Sequence, residues 1–171
     1  MQTTAPIGVF DSGVGGLSIL QEIRRLLPYE DLVYLADTAH CPYGVKPVEE
    51  IRNRTLEVSG YLIQLGAKMV VVACNSACAA GLDQIREAHP EIPVIGVEPA
   101  VKPGHDRTRN GKIGVLATDM TLNGVKFSTL VGKYGSDIEV YTQPAPGLVE
   151  LVEAGQLDSP EAGRLLHQYL D

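Results

Sequence analysis

The sequence predicts an α/β fold built on a doubly wound parallel sheet, and three observations lead there. Four short segments, 7–10, 32–36, 68–73 and 93–97, are rich in Val, Ile, Leu or Ala without strict alternation, as strands covered on both faces are. The stretches between them carry apolar residues at helical spacing. Strand and helix therefore alternate along the chain, the order that gives a parallel sheet with helices on its faces.

Taken in order, the first helix is marked by Leu20, Ile23 and Leu27, the second by Val48, Ile51, Thr55, Val58, Leu62 and Leu65, and the third by Cys78, Leu82 and Ile85. Pro47 suits a first helical position and Gly66 a helix end. This places one α/β domain at residues 1–98. A second unit, 99–171, begins again in the same way: Ile113-Gly114-Val115-Leu116 repeats the pattern of Ile7-Gly8-Val9-Phe10 at an offset of 106 residues. Asp137-Ile138-Glu139-Val140 stands at that offset from Asp31-Leu32-Val33-Tyr34, so an internal duplication is expected. Ser159-Pro160 followed by Ala162, Leu165, Leu166, Tyr169 and Leu170 reads as a capped amphipathic helix matching the one that starts at Pro47. In the first unit that helix leads to the 68–73 strand and Cys74. The second unit reads as unfinished, and the counterpart of Cys74 projects to about residue 180 to 187. An incomplete second sheet would leave an apolar face and strand edges uncovered, so partial disorder or self-association, in its simplest form a homodimer, is expected there.

Composition excludes several function classes. The net charge is −7 and no Lys/Arg block exceeds Arg24-Arg25, so no nucleic-acid partner is expected. The longest apolar run, 69–74, is far short of the roughly 20 residues of a membrane span. Residues 1–6 contain no basic residue and no apolar core, so neither a membrane partner nor a secretory signal is expected. Three cysteines, Cys41, Cys74 and Cys78, form an odd set without scaffold spacing, which fits a reducing cytoplasm.

Ligands of open parallel sheets bind beyond the carboxyl ends of the strands. There the sequence places Asp11-Ser12-Gly13-Val14-Gly15-Gly16, then Asp37-Thr38-Ala39-His40-Cys41-Pro42-Tyr43-Gly44, then Cys74-Asn75-Ser76, then Glu98-Pro99. The 11–16 loop has two readings: a cradle of backbone N–H groups for an anion, or a tight turn in which Asp11 or Ser12 caps a helix. Cys74 also has two, a buried core residue or a reactive thiol whose pKa, ordinarily ~8.5, falls to roughly 3.5–7.5 at a helix N-terminus. Cys78 shares a stripe with Leu82 and Ile85 and reads as core; Cys41 reads as a loop residue near the rim. No metal site is expected, because Cys74 and Cys78 lack further ligands at a familiar spacing. His40 alone of the histidines falls on this rim, which leaves a thiol hydrolase with His40 as base as one reading. No lysine ends a strand, so no pyridoxal Schiff base is expected.

The motifs Ile7-Gly8-Val9-Phe10-Asp11-Ser12-Gly13-Val14-Gly15-Gly16-Leu17, Ala36-Asp37-Thr38 with Pro42-Tyr43-Gly44, Ala73-Cys74-Asn75-Ser76-Ala77 and Gly96-Val97-Glu98-Pro99-Ala100 carry a resemblance. In order and spacing the sequence resembles the glutamate racemases of the aspartate/glutamate racemase superfamily. Weaker matches run through Leu116-Ala117-Thr118 with Thr121 and through Pro146-Gly147-Leu148-Val149-Glu150-Leu151-Val152-Glu153. The resemblance implies two pseudo-symmetric α/β domains with substrate between them. It implies cofactor-independent interconversion of L- and D-glutamate by two thiols on opposite faces of the α-carbon, and D-glutamate supply for peptidoglycan in a bacterial cytoplasm. By position it makes Cys74 the first thiol, Asp11 a manager of its proton or of the substrate ammonium, and Glu153 an accessory acid. It makes Ser12, Tyr43, Gly44, Asn75 and Ser76 carboxylate-binding residues, and Pro42 and Thr118 further substrate contacts. Ser76 stands where the family more often has Thr, which keeps the hydroxyl. The family's late Cys-Thr-His segment has no match in the 171 residues, so this chain by itself is expected not to racemise glutamate. A racemase for aspartate or a hydantoin, and a non-catalytic dicarboxylate-binding module, are the alternatives.

Overall fold

The computed structural model describes residues 4–171, which divide into two compact units, 1–97 and 98–171. The first unit is a four-stranded parallel sheet of β1 (Ile7–Asp11), β2 (Leu32–Ala36), β3 (Met69–Val72) and β4 (Val94–Gly96), in the order β2-β1-β3-β4. Helix α1 (Leu17–Leu26) joins β1 to β2, α2 (Val48–Gln64) joins β2 to β3, and α3 (Asn75–Ala88) joins β3 to β4.

Pleating decides which face each helix covers, because successive side chains of a strand point to opposite sides. Ile7 and Val9 of β1, with Val71 and Ala73, pack against Ile19, Leu20 and Ile23 of α1. The opposite face of β1 carries Gly8 and Phe10. A Cβ on Gly8 would lie 3.1 Å from Leu62 Cβ and 3.2 Å from Ala67 Cβ, so the lack of a side chain there is what lets α2 approach. Helices α2 and α3 pack together on that side through Ile51, Thr55, Val58, Ser59 and Leu62 of one and Ala77, Cys78, Gly81, Leu82 and Ile85 of the other. The sheet is doubly wound, with α1 on one face and α2 and α3 on the other.

Several details differ from the sequence expectation, among them Leu65, which lies outside α2 as its exposed C-cap. Leu27 lies outside α1 as its C-cap and is exposed; Ile19 takes its place in the stripe. Pro47 is the N-cap of α2, one position before the first helical residue. Gly66 ends α2 with φ +87°, a left-handed conformation that residues with a Cβ rarely adopt.

The second unit contains α4 (Val101–Arg107), β5 (Lys112–Ala117), α5 (Asp119–Leu122), α6 (Val125–Tyr134), β6 (Glu139–Pro144), α7 (Leu148–Glu153) and α8 (Pro160–Leu170). Strands β5 and β6 pair in parallel. Ile113 and Val115 face a core of Val101, Phe127 and Leu130. The other face is open within this unit. A Cβ on Gly114 would meet nothing within 4 Å, in contrast to Gly8, and Leu116 and Tyr141 are exposed. Ser159 caps α8, its side chain accepting from the Ala162 N–H at 3.1 Å. This helix packs against α7 and the turn before it, with Tyr169 donating to the Pro146 carbonyl.

The repeat is real in its βαβ order but not in uniform spacing. Ile7 pairs with Leu32 and Ile113 with Val140, so the second strand has moved two residues beyond the 106-residue offset. A two-residue shift keeps every side chain on its original face, which is why the pattern match at Asp137 looked acceptable although the strand begins at Glu139.

Candidate active site

In the first unit the strand order reverses at β1: the chain leaves β1 through α1 toward β2, while β3 lies on the other side of β1. The loops beyond β1 and β3 thus diverge to opposite faces and open a crevice at the carboxyl edge, the usual ligand position in such sheets. Asp11 ends β1, and the 3₁₀ turns Thr38–His40 and Tyr43–Val45 follow β2. Cys74 follows β3 as the N-cap of α3.

Asp11 organises its own loop. Its Oδ1 accepts from the Ser12 N–H at 2.8 Å and its Oδ2 from the Gly16 N–H at 2.7 Å. Tyr34 of β2 donates to the Gly13 carbonyl at 2.7 Å. With two of its N–H groups already held by a carboxylate, the 11–16 loop is the tight turn rather than a phosphate cradle. The N-cap of α1 itself is Gly16 and has no side-chain cap.

The Cys74 thiol is buried between this loop and α3. Its Sγ donates to Ser12 Oγ at 3.6 Å and accepts from the Ala77 N–H at 3.4 Å. The sequence argument for a thiolate stabilised by the helix N-terminus is outweighed. Burial and, after it, the negative charge of Asp11 push the thiol up to about 12, against the smaller lowering effect of the Ala77 and Ser12 hydrogen bonds. Water removal is the dominant cause, since a buried thiolate loses its hydration. The resting site therefore holds a protonated thiol.

A second buried group, to which sequence reasoning gave no role, stands directly after β2. Asp37 ends the β2 loop and collects three side chains: Tyr43 donates to Oδ2 at 2.6 Å, and Arg54 of α2 forms a two-pronged bond, Nε to Oδ2 at 3.0 Å and Nη2 to Oδ1 at 2.9 Å. His40 Nδ1 lies 3.0 Å from Oδ1. Burial alone would raise this carboxyl, but the bonds from Arg54, Tyr43 and His40 together hold it down at about 2. Tyr43 is almost wholly buried, packed on α3, and its phenol is pushed far up by burial, by the bond to Asp37 and, to a lesser degree, by the neighbouring Cys74. Asp37 had a weak sequence signal, its place at the end of β2 matching that of Asp11 at the end of β1. Arg54 had none, being one of two arginines, with Arg52, on an amphipathic helix.

The first N–H groups of a helical turn have no carbonyl partner within that turn. Helical turns begin at Tyr43-Gly44 and at Asn75-Ser76, and the first of them packs on the helix that Cys74 caps. This is an arrangement suited to carboxylate oxygens.

A family profile described as Asp/Glu/Hydantoin racemase matches residues 7–170. The chain belongs to the Asp/Glu/Hydantoin racemase family. Among curated relatives, the glutamate racemase of Ectopseudomonas mendocina is 52% identical over 170 residues, 99% of this chain and 65% of that protein. The glutamate racemase of Pseudomonas syringae pv. tomato is 53% identical over 167 residues, 98% of this chain and 61% of that protein. The chain thus spans less than two thirds of the length of these relatives. Among solved structures, a glutamate racemase isoform of Bacillus anthracis matches with TM-score 0.87 and 36% identity, over 99% of this chain and 64% of that one. The Escherichia coli glutamate racemase in complex with L-glutamate and the activator UDP-MurNAc-ala matches with TM-score 0.85 and 35% identity, over 97% of this chain and 64% of that one.

Within this racemase fold the structure gathers Asp11, Ser12, Tyr43 and Cys74, and places Pro42, Gly44, Asn75 and Ser76 directly beside them in the chain. Thr118 and Glu153 lie in the second unit. Thr118 follows β5 as Ser12 follows β1 and caps α5, accepting from the Thr121 N–H and donating to Thr121 Oγ1 at 3.1 Å; Glu153 closes α7. Cys78 is core, as its stripe predicts, donating to the Val72 carbonyl at 3.4 Å. Cys41 ends the first 3₁₀ turn, half-buried. His40 is engaged with Asp37, whereas Cys74 has Ser12 and Ala77 as partners, so the base that a thiol hydrolase would need is directed elsewhere. Among the described residues no helix is long and apolar enough to cross a membrane.

Proposed function

We propose that this chain provides the first-thiol half of a cofactor-independent glutamate racemase, acting in the cytoplasm to supply D-glutamate for peptidoglycan. The observation that carries the reading is Cys74: a buried thiol at the switch point of the sheet, bonded to Ser12 and capping one of two helical turns that pack together and whose leading N–H groups suit carboxylates. The names of the relatives support glutamate as the substrate.

On this reading the glutamate carboxylates settle on the N–H groups at Tyr43-Gly44 and Asn75-Ser76, with Ser12 and Ser76 adding hydroxyls. The ammonium brings positive charge toward Asp11. That charge offsets the negative field which adds to burial in holding the Cys74 proton, and the thiol then ionises by passing its proton through its partner Ser12 Oγ to the Asp11 carboxylate, whose Oδ1 the same hydroxyl meets at 3.5 Å. The Cys74 thiolate takes the α-proton, forming an S–H bond as the C–H bond breaks and leaving its electron pair on the α-carbon, where fixed dipoles and excluded water stabilise it. Return of a proton to the same face restores the starting enantiomer; inversion needs an acid on the opposite face. Cys78 is bonded into the core, so on this reading the opposite-face acid is a group other than Cys74 and Cys78, which we propose to be a second thiol. Thr118 and Glu153 are proposed as a substrate contact and an accessory acid.

Binding is tested by alkylation. Millimolar D- or L-glutamate is expected to slow carbamidomethylation of Cys74, read by peptide mass spectrometry, while leaving Cys41 and Cys78 unaffected. Equal Cys74 rates with and without glutamate would remove glutamate as the ligand of this site.

A further inference from the structure

The chemistry above gives Asp37 no task, yet its carboxylate is bonded to three side chains, those of His40, Tyr43 and Arg54. It is buried and accepts from three elements: the His40 turn, the Tyr43 turn and α2. A buried carboxylate persists only when paired and hydrogen-bonded, and the planar fork of Arg54 supplies both. A buried tyrosine likewise needs a partner for its hydroxyl, and Asp37 is that partner. The two requirements meet on one carboxylate: Arg54 fixes Asp37, and Asp37 fixes Tyr43, whose ring packs on α3 beside the thiol.

We propose that Asp37 is a positioning residue of this site, which holds the Pro42-Tyr43-Gly44 turn closed over Cys74 through the Tyr43 hydroxyl, with Arg54 as its fixed counter-charge. The inference deepens the proposed function, since it assigns this turn the task of presenting its N–H groups and shielding the thiol. Asp37 touches no reacting atom; it acts through Tyr43. Loss of the Tyr43–Asp37 bond would free the turn and admit water and reagents to the sulfur.

The test uses the alkylation rate of Cys74 without glutamate, so its outcome is independent of whether glutamate binds. Cys78, buried in the same helix, serves as an internal reporter of global opening. In Asp37→Asn and in Tyr43→Phe the Cys74 rate is expected to rise about tenfold, consistent with loss of one charge-assisted hydrogen bond, with the Cys78 rate unchanged. Asp37→Glu, which retains the carboxylate, should recover part of the slow rate. Because one residue acts through the other, the double variant should react no faster than the faster single variant. Cys74 and Cys78 rates that rise together, or effects that multiply in the double variant, would overturn the proposal. If Asp37→Asn does not fold, Tyr43→Phe decides alone, since it removes one oxygen, and an unchanged Cys74 rate in it is equally contrary.

Discussion

At pH 8 the folded chain's Cys74 is expected to react with iodoacetamide about a thousand times more slowly than the same cysteine in the urea-unfolded chain. The reasoning is in the thiolate fraction, because only the thiolate attacks. Burial first and Asp11 second move this thiol from 9.0 to about 12, three decades of ionisation. A linked effect on stability follows, and its sign is fixed. The folded pKa lies above the unfolded one, so the folded state keeps its proton longer, and this group's contribution is intact below about pH 9 and lost as pH rises from there toward about 12. Urea midpoints of the wild type should therefore fall more steeply between pH 8 and 10 than those of Cys74→Ala, which lacks the titrating group. Parallel midpoints in the two proteins, or a folded Cys74 as reactive as in urea, would show a thiol whose ionisation folding does not hold back. For the proposed chemistry the raised thiol matters because it makes ionisation wait for the charge that substrate brings.

Gly16→Val should be among the most destabilising substitutions at the site, by about 1–3 kcal/mol or more. A Cβ at Gly16 would stand 2.7 Å from Asp11 Cβ, 2.8 Å from the Tyr34 hydroxyl and 3.0 Å from Ala73 Cβ. Two of those atoms are the first side-chain carbons of residues at the ends of β1 and β3, which cannot retreat without moving the strands. Displacing Gly16 also breaks its N–H bond to Asp11 and with it the turn that faces Cys74. Gly60→Ala on α2 is the matched control, since a Cβ there meets nothing within 4 Å. It should stabilise the chain by up to about 1 kcal/mol through helix propensity alone. Urea unfolding of both variants checks the pair, and a Gly16→Val protein as stable as the wild type would contradict the close approach of α1 to the sheet.

The parts of this structure that could be read from the sequence are those governed by local periodicity. The runs around Val9 and Val71 announce strands because their covering is two-sided, and Cys78, Leu82 and Ile85 announce a buried helix face because their spacing is helical. The Ser159-Pro160 cap is legible for the same reason: its hydrogen bond spans three residues. Leu27 misled because an apolar residue at the right spacing does not reveal that the helix has already ended. The sequence left Cys74 open between a buried residue and an activated thiol because a helix N-terminus can be seen in sequence whereas burial cannot, and burial is the larger effect. Asp37 and Arg54 are 17 residues apart on different elements, and only the return of α2 across the sheet brings them together. The resemblance proposed Cys74, Ser12 and Tyr43 by motif; it did not tell what holds Tyr43 in place.

The central claim is that Cys74 exchanges a proton with the α-carbon of glutamate, and incubation of D- and L-glutamate with the chain in D₂O tests it most directly. One thiol acting on one face should introduce deuterium at the α-carbon of one enantiomer with retention of configuration, and Cys74→Ala should abolish the exchange. If no α-deuteration appears at glutamate concentrations that protect Cys74 from alkylation, or if exchange persists in Cys74→Ala, then Cys74 is not the proton-transferring group.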